Sequence, residues 1–172
     1  AVFALLDAAV EAEALGAEFA FHPDAYPTLS RPLLSALDDP ASIAPPDPAR
    51  AGRMPELLRA AGLLRRAVGD EALVAGCVAG PMTLVAQLAG MEAALYRAAD
   101  DPDGFGAALD RAAETAVRFG TAQIAAGAHL PLVFDPASSP DVVPPAFFRE
   151  FVAPRLTRIF DAFRESGAAA NW

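Results

Sequence analysis

Two short stretches set polar side chains against sharp turns in a chain otherwise rich in apolar runs. "GPMTLVAQLAG", residues 80–90, places Thr83 and Gln87 directly behind a Gly-Pro turn. "FDPASS", residues 134–139, gathers Asp135, Ser138 and Ser139 around another proline. A hydroxyl and an amide can orient a substrate by hydrogen bonding, and a carboxylate can accept such a bond or exchange a proton. Each residue also has a plainer reading. An aspartate before proline often forms a turn or caps a helix. Thr83 stands where its hydroxyl would cap a helix that starts with Pro81 at the first position. Gln87 would equally suit an exposed helix face.

Metal chemistry finds little to work with. The only thiol is Cys77, and the only imidazoles are His22 and His129. No His-x-Cys or Cys-x-x-Cys spacing occurs, so no zinc site can be read from these residues. Cys77 within "VAGCVAG" reads as a small core residue, and both histidines read as structural. One cysteine also excludes an internal disulfide framework. The glycines form neither a Gly-x-Gly-x-x-Gly nor a Walker pattern, so no nucleotide cradle is expected.

The elements that must carry these residues follow from apolar spacing. Residues 1–16 read as a helix closed by Gly16, followed by a short strand at 18–22. Residues 23–55 look like an extended proline-rich loop with at most one helical turn near "LLSALDD". Leu57, Leu58, Ala61, Leu64 and Val68 make one helical stripe over 54–68. Residues 72–80 read as a buried strand, 82–99 as a helix, and 105–126 as another. A second apolar strand spans 129–136. Phe148, Phe151, Val152, Leu156, Ile159 and Phe163 mark a long helix, bent at Pro154. "AAANW" at the end reads as the start of one more strand.

Strands alternating with amphipathic helices imply βαβ units and a parallel sheet, whose ligands bind beyond the carboxyl ends of the strands. Both polar stretches fall at such ends. About four strands are visible, whereas a closed barrel needs eight and roughly 250 residues. The 172 residues therefore read as one partial α/β domain. No run is long and apolar enough to cross a bilayer, and no basic leader precedes the first apolar residues, so a cytoplasmic protein is expected. A formal charge of −9 argues against a nucleic-acid partner, whose phosphates demand cationic contacts.

Three phrases, in order, resemble one family. "VEAEALGAE" (10–18), "GPMTLVAQLAG" (80–90) and "AGAHLPLVFDPASSPDVVPPAFFREFVAPRLTRIF" (126–160) are similar to segments of the uroporphyrinogen decarboxylase superfamily. The likeness is greatest to its methylcobamide:coenzyme M methyltransferase branch, through Asp135-Pro136 and the Glu11-x-Glu13 phrase. The resemblance implies an α/β fold, a parallel (β/α)8 TIM barrel, of which residues 1–172 would be the N-terminal and central part, cut before the zinc-binding segment. It further implies methyl transfer from a corrinoid to a thiol activated on zinc. The His-x-Cys-Gly phrase that carries that zinc would lie just past the strand beginning "AAANW".

On this resemblance Asp135 is the catalytic candidate, while Gln87, Thr83, Glu11, Glu13 and Ser138 are substrate-binding candidates. Glu11 and Glu13 would be carboxylates near the pocket mouth, or else a solvated helix face. Implied partners are a corrinoid protein or a small thiol. The alternative branch, uroporphyrinogen III decarboxylation, carries a substrate-facing tyrosine where Gln87 stands and a serine where Pro136 stands. A third reading is a non-catalytic half barrel that pairs as a homodimer to cover its open sheet edges.

Overall fold

A computed structural model describes residues 1–4, 7–25, 27–31, 33 and 43–169. Its centre is a three-stranded parallel sheet of β1 (Val2–Phe3), β4 (Val74–Ala79) and β5 (Leu130–Phe134), paired in that order. β2 (Glu18–Ala20) and β3 (Thr28–Arg31) form a separate antiparallel pair. Helices α1 (Val10–Ala14) and α2 (Met54–Val68) precede β4. Helices α3 (Pro81–Ala89), α4 (Met91–Asp100) and α5 (Pro102–Ala126) lie between β4 and β5. A 3-10 turn at Pro136–Ser138 leads to α6 (Pro145–Phe147), a π-helical turn at Phe148–Val152, and α7 (Ala153–Glu165).

The sheet register assigns its two faces. Ala75 pairs with Phe3 and Leu130, Cys77 with Leu132, and Ala79 with Phe134. Alternation along a strand puts all of these on one face and Val74, Gly76, Val78 and Val133 on the other. The second face meets the helices: Val78 and Val133 pack with Leu57 of α2, Phe119 of α5, and Ile159 and Phe163 of α7. Each fully buried phenylalanine or leucine there is worth about 1.5–3 kcal/mol. The first face is less covered, with Phe3 56% and Phe134 37% exposed.

Several expectations are met and others are corrected. The 54–68 helix appears with the expected bounds, and β4 is buried at every residue. Residues 1–16 are not one helix. The chain begins as a strand pairing with β4, and α1 is confined to Val10–Ala14. The region expected to be loop contains β3, whose short, largely exposed strand gives no apolar alternation to read. The helix expected over 82–99 is two helices, because Gly90 ends α3 and starts α4 at φ +89°, a conformation side-chain-bearing residues avoid. The long helix expected through Pro154 is a π-helical turn at Phe148–Val152 followed by α7, which places Pro154 in its first turn, where no intrahelical N–H bond is needed. The helical turn near "LLSALDD" falls largely on residues 34–42, and the last strand on 170–172, both outside the described residues. Ala169 donates its backbone N–H to the His129 carbonyl at 2.8 Å, so the chain approaches the entrance of β5 there.

Candidate functional site

The carboxyl ends of β4 and β5 are tied together by the two stretches that the sequence singled out. Helix α3 starts at Pro81, and its N-cap, Gly80, has no side chain to accept the free N–H groups of the first turn. Asp135, at the end of β5, supplies the cap from outside the helix. Its Oδ1 accepts from the Thr83 N–H at 2.7 Å and its Oδ2 from the Met82 N–H at 3.4 Å. The negative carboxylate also complements the positive end of the helix dipole. Gly80 permits the approach: a Cβ there would sit 2.2 Å from the Asp135 Cβ.

Thr83 does not cap its own helix. Its hydroxyl accepts from the Ala137 N–H at 3.2 Å, a second tie between the two strand ends. Ser138 completes the knot by donating its hydroxyl to the Asp135 carbonyl at 2.8 Å. Burial raises the Asp135 pKa above the usual carboxylate range, against the opposing pull of bonds from Thr83, Met82 and Ser138. Each carboxylate oxygen accepts one structural bond and keeps a lone pair.

A second polar group lies along β4, on the edge that faces β1. Among the described residues, their ladder runs as far as the Ala4 N–H, which donates to the Ala75 carbonyl. Further along, the backbone groups of Cys77 and Ala79 on that edge are met by side chains. Gln123 of α5 accepts from the Cys77 N–H at 2.9 Å through Oε1 and donates to the Cys77 carbonyl at 2.8 Å through Nε2. Glu11 of α1 accepts from the Ala79 N–H at 2.7 Å. The first face of α1 is thus no solvated surface: Glu11 is 1% exposed. Desolvation pushes its pKa to about 7, with repulsion from Asp7 adding to the rise and the Ala79 bond opposing it. The same carboxylate, after burial itself, helps push the Cys77 thiol up to about 12, so that thiol is inert at neutral pH.

Glu13 takes part in a different cluster. Arg53, just before α2, donates Nε to Glu13 at 2.6 Å and Nη1 to Asp7 at 2.5 Å, and its guanidinium lies 5.0 Å from the Phe21 ring centre. Burial lowers the Arg53 pKa, but the bonds to Asp7 and Glu13 outweigh it and hold the cation above its ordinary value. Asp7 also accepts from the Ala9 N–H at 3.0 Å through Oδ1. Gln87 of α3 donates Nε2 to the Ala8 carbonyl at 2.8 Å, which fixes its amide orientation, and its buried Oε1 has no partner. Residues 7–11 are therefore held by three long-range side-chain ties, from Arg53, Gln87 and Glu11.

These ties shape a cavity of about 360 Å³ lined by Asp7, Ala8, Ala9, Phe19, Pro27, Gln87 and Phe134. Gln87 and the wall it holds thus face one hollow next to the end of β5. Glu11 ties α1 to β4, Glu13 holds Arg53, and Thr83, Asp135 and Ser138 knot the adjacent strand ends. A smaller cavity of about 290 Å³ opens beside Ser138, between Pro140, Val143, Pro145, Phe148 and Arg149. His129 is structural, its Nδ1 accepting from the Val74 N–H at 3.0 Å, and His22 meets the Thr28 hydroxyl at 2.9 Å on the surface. Asp7, Arg53 and Gln123 were not singled out by sequence.

The uroporphyrinogen decarboxylase (URO-D) family model matches residues 1–170. The chain belongs to the uroporphyrinogen decarboxylase family. It is 32% identical over 117 residues to methylcobamide:CoM methyltransferase MtaA of Methanosarcina barkeri, a match covering 68% of this chain and 34% of that protein. It is 29% identical over 154 residues to a methylated-thiol–coenzyme M methyltransferase of Methanosarcina mazei, covering 89% of this chain and 41% of that one. The fold is similar to a solved methyltransferase from Methanosarcina mazei, with TM-score 0.87 and 28% identity over 95% of this chain and 48% of the other. The chain thus spans about half or less of the proteins it matches. Within the family it is similar to methyltransferases of the methylcobamide:CoM type, as the three phrases implied.

Zinc is implied by the resemblance to the methyltransferase branch alone. Among the described residues no group of three or more His, Cys, Asp or Glu side chains is arranged to hold a metal ion. No helix of the described residues is long and apolar enough to cross a membrane.

Proposed function

We infer that this chain supplies consecutive strands of a parallel (β/α)8 barrel, and that the whole protein transfers a methyl group from a corrinoid to a small thiol. The observation that carries this reading is the similarity to a methylcobamide:CoM methyltransferase over 68% of the chain. The parallel order β1-β4-β5, which follows the chain, supports the barrel, because barrel strands pair in sequence order.

Zinc, when bound to a thiol, favours its thiolate, the form able to attack a methyl carbon. The described residues do not fit that ion, so no step through it is assigned to this chain. What this chain contributes is the wall and rim of the site. Asp135, Thr83 and Ser138 act as positioning residues that lock the ends of β4 and β5. Glu11 and Glu13 position residues 7–11. Asp7 and Gln87 present polar groups to the cavity, and Phe19, Pro27 and Phe134 exclude water from it. Partners on this reading are a corrinoid protein and a small-molecule thiol. Gln87 stands where the decarboxylases that the chain resembles carry a substrate-facing tyrosine, which favours methyl transfer over porphyrinogen decarboxylation.

The test uses the whole protein that contains this chain, loaded with zinc and mixed with methylcobalamin and a panel of small thiols. Thiol-dependent loss of the methylcobalamin absorbance is expected. A spectrum unchanged by every thiol sinks the reading.

A further inference from the structure

The cavity beside β5 carries a charge pattern that bears on which thiol it admits. Among the described residues of its lining Asp7 is the charged one, with a side chain 15% exposed. Arg53 does not reverse that charge, because it is shared between Asp7 and Glu13, leaving the cluster one negative charge in excess. Each Asp7 oxygen accepts one bond and keeps a lone pair. The other described residues of the wall are Ala8, Ala9, Pro27, Gln87, Phe19 and Phe134. A carboxylate among apolar and aromatic residues is a setting for a cation, since the carboxylate attracts an ammonium and the apolar walls strengthen the attraction. A sulfonate such as that of coenzyme M would meet Asp7 across a partly desolvated space.

We propose that this cavity receives the ammonium end of a small amine-bearing thiol or methyl thioether, with Asp7 as its counter-ion, and discriminates against a sulfonate of the same length. The thiol half of the proposal rests on the methyl-transfer reading; the ammonium half rests on the cavity alone. The sulfonate named by the methyltransferase relatives would then not be the acceptor here.

Calorimetric titration of the whole protein separates the two halves. The probes are 2-(methylthio)ethylamine, 2-(methylthio)ethanesulfonate and n-butylamine, in which a methylene replaces the sulfur; none needs a thiolate. Both amines are expected to bind at least about tenfold more tightly than the sulfonate, with the gap narrowing as salt is added. In Asp7→Asn the advantage should vanish, because the lining charge is gone and Glu13 alone balances Arg53. Equal affinities, tighter sulfonate binding, no binding of any probe, or an amine preference that survives Asp7→Asn each overturn the proposal. Should Asp7→Asn fail to fold, the wild-type order of affinities and its salt dependence decide alone. An amine preference in a protein that transfers no methyl group would sink the methyl-transfer reading and leave the cavity assignment standing.

Discussion

Glu11→Gln gives the sharpest energetic test of how the seam between β1 and β4 is built. Glu11 is fully buried, and its carboxyl titrates near 7 rather than near its ordinary 4.5. The folded state therefore holds a proton that the unfolded state releases at lower pH. For an acid with a raised pKa, this contribution to stability is fully present below about 4.5. It is lost progressively up to about 7, and stability is flat in this group above that. At about 1.36 kcal/mol per pKa unit, the rise makes the ionised carboxylate cost about 3 kcal/mol at pH 8. The amide that the substitution introduces keeps an oxygen for the Ala79 N–H while carrying no charge. Urea denaturation of wild type and Glu11→Gln at pH 5 and pH 8 is the assay. The variant should match wild type within about 1 kcal/mol at pH 5 and exceed it by about 2–3 kcal/mol at pH 8. Equal stabilities at pH 8, or a variant weaker at both pH values, would refute the buried-acid account.

Two further substitutions probe the strand ends. Asp135→Asn replaces an acceptor with an amide whose N–H₂ must face the Met82 or Thr83 N–H, so the α3 cap should weaken by about 1–2 kcal/mol, read as a lower Tm at pH 7. Gln123→Ala orphans both the N–H and the carbonyl of Cys77 inside the core and should cost about 3 kcal/mol or more by urea denaturation, far beyond a surface Gln→Ala.

Sequence made the long elements legible because their apolar stripes outlast local ambiguity, as over Met54–Val68. It failed where a few residues decide. The opening apolar run suits strand or helix alike, and only pairing with Val74 and Ala75 makes Val2–Phe3 a strand. The polar residues at the strand ends were legible because parallel sheets place binding groups there. Their partners were not, since Asp135 caps a helix that starts more than fifty residues earlier, and Arg53 reaches Asp7 across 46 positions. Gln123 did leave a signal: an uncharged polar residue on the buried stripe of Ala116, Phe119 and Gly120. A polar side chain on such a stripe must find a partner, and here it finds a strand edge.

Whether the whole protein that contains this chain moves methyl groups, as proposed, or removes carboxylates is tested most directly by product analysis. Whole protein is incubated in parallel with ¹³C-methylcobalamin plus thiols and with uroporphyrinogen III. The account predicts a ¹³C-labelled S-methyl signal by NMR and no carbon dioxide release. Carbon dioxide and coproporphyrinogen with no labelled thioether would contradict it.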